Sequence, residues 1–81
     1  MTVLREHDTV RVTKLIDPAR KFHGTEGVLR PPRIGDVATI CHEYDPMDPN
    51  APVVVEMVNN EGLTLWLADF HRSELELVRR W

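Results

Sequence analysis

The chain has 81 residues, 42% of them hydrophobic and 28% charged, with a formal net charge of −3. A domain of this length buries only about 60% of the surface its unfolded chain exposes, so association with a partner or a second copy is an expected source of added stability. No apolar run approaches the roughly 20 residues that span a bilayer, no basic stretch leads into an apolar core at the N-terminus, and Cys41 is the only cysteine; membrane insertion and an internal disulfide are excluded, and a cytoplasmic location is expected.

The first regular segment is Thr9 to Lys14, where Val10 and Val12 alternate with Arg11 and Thr13 as in a half-buried strand. From Leu15 to Ile34 the chain carries Pro18, Pro31, Pro32, Gly24 and Gly27, which break any ladder and predict a long irregular loop. Phe22, Val28 and Leu29 offer it apolar anchors, and loops of this length in small domains tend to carry function.

Strand two is predicted from Val37 to Tyr44. It opens from Gly35, which permits a tight turn, and Asp36, whose carboxylate can accept from nearby backbone N–H groups. The run Asp45-Pro46-Met47-Asp48-Pro49-Asn50 is turn chemistry, and Pro52 to Val58 forms strand three with Val53, Val55 and Met57 on one face. Asn59-Asn60-Glu61-Gly62 makes a hairpin turn, and Leu63 to Ala68 returns as strand four. In that strand Leu63, Leu65 and Leu67 are read as facing the core, which sends Thr64, Trp66 and Ala68 outward. Residues 69–74 suit a single helical turn, and Leu75 to Val78 a last strand.

The fold class is therefore all-β: one domain over 1–81, with a core at about 9–79, five strands in the order of an SH3-like barrel, a long loop at 15–34 and a short helical turn before strand five. Gly35-Asp36-Val37-Ala38-Thr39-Ile40, Val53-x-Val55-Glu56-Met57, Glu61-Gly62 and Ser73-Glu74-Leu75-x-Leu77-Val78 carry a family resemblance. The chain resembles small stand-alone bacterial barrels of an uncharacterised family, which show Gly-Asp-x-Gly-Thr-Val, a Val-Glu-Phe strand, an acidic-Gly turn and a closing Asp-Leu-x-Pro-Val. It is also similar to KOW modules and to the barrel of the nitrile hydratase β subunit. The resemblance implies a fold and leaves function to the residues of the site. Ala38 stands where that family has Gly, and the loop before it is longer than is usual there.

No enzymatic machinery is legible. Cys41 and His42 are neighbours in a strand, so alternation places them on opposite faces, away from a nucleophile–base geometry. His7, His23, His42 and His71 lack metal-ligand spacing, Asp45, Asp48 and Asn50 fit a turn and no calcium loop, and no phosphate cradle is present. Neither catalysis nor a cofactor or metal is expected.

Two binding surfaces are. Residues 11–33 hold six basic side chains against Asp17 and Glu26, whereas residues 36–76 hold nine acidic ones against Arg72 alone. Arg20, Lys21, Arg30 and Arg33 are thus candidates to meet an anionic partner, with KOW-like nucleic-acid binding as the alternative function; equally, the loop can lie across the acidic strands of its own chain. Overall acidity and the lack of aromatics interleaved with the bases weigh against nucleic acid. The favoured function is a non-enzymatic protein-interaction or homo-oligomerising module, a homodimer above all, associating through an apolar outer sheet face of Val54, Val58, Thr64, Trp66 and Ala68.

Overall fold

The computed structural model describes residues 3–81. Five antiparallel strands form one sheet: β1 (Thr9–Val12), β2 (Val37–Glu43), β3 (Val53–Val58), β4 (Thr64–Phe70) and β5 (Leu75–Arg79), with a 3-10 turn at Arg72–Glu74 between the last two. The spatial order is β4-β3-β2-β1-β5. The first and last strands of the chain are therefore neighbours, and the three hairpin-linked strands lie to one side of them.

The predicted turns form through the side chains that predict them. Gly35 takes φ +96, a region open to glycine, and Asp36 Oδ2 accepts from the Arg33 amide at 2.9 Å, closing the turn that launches β2. Asp45 and Asp48 each accept the amide two residues on. Asn59 Oδ1 accepts from Glu61 and Leu63 N–H, setting the β3–β4 hairpin.

One face of the curved sheet packs into a core of Leu4, Val10, Val12, Ala38, Ile40, Val53, Val55, Trp66, Ala68, Phe70 and Leu75, with Phe22, Met57, Leu65 and Leu77 packed against it. This reverses the expected phase of β4. Trp66 is 0% exposed and Ala68 and Phe70 are buried beside it, whereas Leu65 and Leu67 lie half-buried on the other side. The register shows why: Phe70 sits opposite Val53, Ala68 opposite Val55 and Trp66 opposite Met57, so the inward residues of β3 face Trp66, Ala68 and Phe70. The strand also runs two residues further than the sequence suggested, and Phe70 is the member that completes the inward set.

The long loop is ordered against β4. His23 and Leu67 exchange backbone hydrogen bonds at 2.7 and 3.0 Å, Thr25 N–H donates to Thr64 O at 2.8 Å, and Arg30 N–H donates to Leu65 O at 3.0 Å. Gly24 makes this approach possible, because a Cβ there would lie 2.7 Å from Leu29 Cβ and 2.8 Å from Leu65 O. One of the two edges of the sheet is thus covered by the chain itself.

Candidate interaction edge

The basic residues of the loop are partly spent on holding it in place. Arg20, with its side chain 8% exposed, donates to both carboxylate oxygens of Glu74, at 2.5 and 2.6 Å, and its guanidinium lies 4.0 Å from the centre of the Phe70 ring. Glu74 is fully buried and also accepts from the Ile16 and His71 amides. Burial pushes its carboxyl pKa up, but the Arg20 and amide hydrogen bonds outweigh that and hold it below the ordinary range.

Arg30 forms a two-pronged pair with Asp36, each contact 2.9 Å. The same carboxylate accepts the Trp66 indole N–H. Burial raises the Asp36 pKa, and the bonds from Arg30, the Arg33 amide and Trp66 more than reverse it. Lys21 and Arg33 are exposed and have no carboxylate within ion-pair distance among the described residues. Of the four cations proposed for an anionic partner, two are therefore neutralised by acidic strands of the same chain.

The proposed outer face is dismantled in the same way. Trp66 and Ala68 are core residues. Thr64 is half-buried with its hydroxyl donating to Glu56 Oε2 at 2.6 Å, Val54 is half-buried, and only Val58, at 48%, is openly exposed. No tryptophan-centred patch exists on this side of the sheet.

Cys41 and His42 also depart from the simple alternation. The register slips between Ile40 and His42, so this bulge leaves both side chains exposed on the same strand. The Cys41 thiol donates to Val54 O at 3.5 Å, and burial together with Glu56 and Glu6 raises its pKa. That disfavours the thiolate a nucleophile needs. No cluster of metal-ligating side chains occurs among the described residues.

What the sequence did not reveal is the state of the two sheet edges. While β4 is covered by residues 23–30, no bridge pairs the outer side of β5 among the described residues. Thr13 N–H donates to Glu74 O, with Val12 opposite Leu75 and Arg11 opposite Glu76. The antiparallel alternation then sends Glu76 N–H toward β1 and turns the Leu75 C=O and both backbone groups of Leu77 to the open side. A groove of about 530 Å3 lies along this strand, lined by Val3, Leu4, Pro49, Leu75 and Leu77 together with the polar Arg72, Ser73 and Glu76.

Two arginines hold the N-terminal segment whose Val3 and Leu4 line this groove. Arg72 donates to Ala51 O, Leu4 O and Glu43 Oε1, tying the β2–β3 connection to the N-terminal segment. Burial raises the Glu43 pKa, but the Glu6 amide and Arg72 bring it below the ordinary range. Arg80 donates to Val3 O at 2.7 Å and to buried Asp8 at 2.9 Å. Val3, Val78 and Trp81 remain exposed nearby, Trp81 at 88% with its ring 5.1 Å from that of His7.

Comparison with known proteins adds no constraint: no family model, curated protein or solved structure matches this chain. No helix among the described residues is long and apolar enough to cross a membrane.

Proposed function

We propose that the domain is an SH3-like barrel acting as a non-enzymatic protein-interaction module, and that it associates through the open edge of β5. The strand order β4-β3-β2-β1-β5 and the 3-10 turn before the last strand support the barrel reading. The single observation that carries the function is the unequal treatment of the two edges. An uncovered strand edge is a template for adventitious pairing, and soluble domains cover or charge such edges. This chain devotes residues 23–30 to covering β4, yet leaves the outer side of β5 unpaired among the described residues, beside a groove to which Val3, Leu4, Pro49, Leu75 and Leu77 contribute hydrocarbon. A retained open edge with apolar walls is the arrangement used to accept an added strand, whose main chain gives affinity and whose alternate side chains give specificity.

The nucleic-acid alternative loses ground because Arg20 and Arg30 are held by Glu74 and Asp36. Affinity capture with the intact chain and with Leu77→Pro, which removes the outward N–H, tests the reading. The expected result is a protein recovered by the first and lost with a folded second. Recovery of RNA by both would overturn it.

A further inference from the structure

Resting on that reading, we propose that the β5 groove receives a single extended segment of a different protein, apolar at alternate positions and carrying a carboxylate, and that a second copy of this domain does not fill it. The apolar requirement follows from the lining. Val3, Leu4, Pro49, Leu75 and Leu77 offer hydrocarbon, the charged lining residues Arg72 and Glu76 are paired with Glu43 and Arg11, Ser73 adds one hydroxyl, and the groups along the edge of β5 that an added strand meets are backbone ones. Extended backbone satisfies the latter at any sequence, so side-chain selection falls to every second residue.

The carboxylate follows from the charges around the strand. Arg11 is paired with Glu76 at 2.7 Å, Arg72 with Glu43 at 3.1 Å and Arg80 with Asp8 at 2.9 Å. Arg79, at the end of β5, has no carboxylate within 4.0 Å among the described residues. An acidic residue in an incoming strand supplies that partner, and a basic one meets uncompensated positive charge.

A second copy is disfavoured in the registers centred within Leu75 to Leu77. Two β5 strands related by a two-fold axis pair antiparallel about one central residue. Centred on Glu76, they set Glu76 directly against its own counterpart, a like-charge pair across the strands. Centred on Leu75, they need an N–H already donated to Arg72 O in the 3-10 turn. Centred on Leu77, they place Arg79 opposite a leucine and gain one reciprocal pair of hydrogen bonds before the irregularity between Thr9 and Val10 interrupts the strand.

The test uses the full chain, 15N-labelled, titrated with an acetylated and amidated Val-Thr-Val-Glu-Val-Thr peptide and with the same peptide bearing Lys for Glu. Light scattering of the protein alone is recorded alongside. The expected result is a monomer whose Leu75 to Arg79 amides shift with the first peptide at up to millimolar concentration, and affinity several-fold lower for the second. Val3→Glu, a change at an exposed wall residue, loses the shifts while keeping the dispersed spectrum of the fold. Absence of shifts in β5, or equal binding of both peptides, overturns the proposal. A dimer that Val3→Glu dissociates overturns it too, but leaves the open edge as the association surface.

Discussion

The indole N–H of Trp66 in β4 donates at 2.9 Å to Asp36 Oδ2 at the mouth of β2, inside the protein. The other prongs of the same carboxylate hold Arg30 and the Arg33 amide, so one side chain joins the core, the turn and the long loop. Asp36→Ala leaves the Arg30 charge and the Trp66 N–H without their acceptor at a partly desolvated site. Removing one member of a buried pair typically costs about 3–5 kcal/mol, and chemical denaturation is expected to show a loss near the lower end of that range.

Trp66→Glu is expected to abolish the cooperative fold. The indole is fully buried against Phe70, ring centres 5.3 Å apart, and truncating such a residue alone costs about 3–5 kcal/mol before any charge is buried. Circular dichroism and a denaturation curve decide the matter. A folded variant with altered self-association would mean that Trp66 lies on the surface.

The sequence carried the five strands and their succession along the chain well, because β-branched alternation in Thr9–Val12 and Val53–Val58 and the turn residues Gly35-Asp36 and Asn59 to Gly62 are local signals. It misled about β4. Both faces of that strand are apolar, Leu65 and Leu67 on one, with Leu63 just before it, and Trp66, Ala68 and Phe70 on the other, since one packs into the core and the other is half-covered; composition gives no preference between phases. Phe70, read as part of the following turn, was the missing vote. The edge groove was not legible at all. It arises from Leu4, Pro49 and Leu77, residues brought together only by the pairing of β1 with β5 and by the Arg72 and Arg80 contacts.

Stability is expected to fall in acid. Asp36, Glu43 and Glu74 all have folded pKa values below their ordinary values of 3.8, 4.5 and 4.5. The unfolded chain therefore takes up protons first as pH drops, so the contribution of these groups is complete above about pH 5 and is lost progressively below it. Urea midpoints measured across this range should decline together with pH. A midpoint unchanged to pH 3 would show that the three carboxylates are not engaged in the folded protein.

Gly24→Ala probes the covered edge. Its methyl group must displace Leu29 Cβ or the Leu65 carbonyl, and overpacking of this kind costs about 1–3 kcal/mol. Hydrogen exchange is expected to accelerate at Thr25, Arg30 and Leu67, whose amides make the loop–β4 bonds, with the β1 and β2 amides less affected.

The most direct measurement of the account is native-state amide exchange of Leu77 compared with Leu67, one on each outer edge of the sheet. The account predicts slow exchange at Leu67, which donates to His23 O at 2.7 Å, and exchange at Leu77 far faster than global unfolding allows, since its N–H is turned away from β1 to the unpaired side of β5. Protection of Leu77 equal to that of Leu67 in the isolated protein would contradict the open edge on which the proposed function stands.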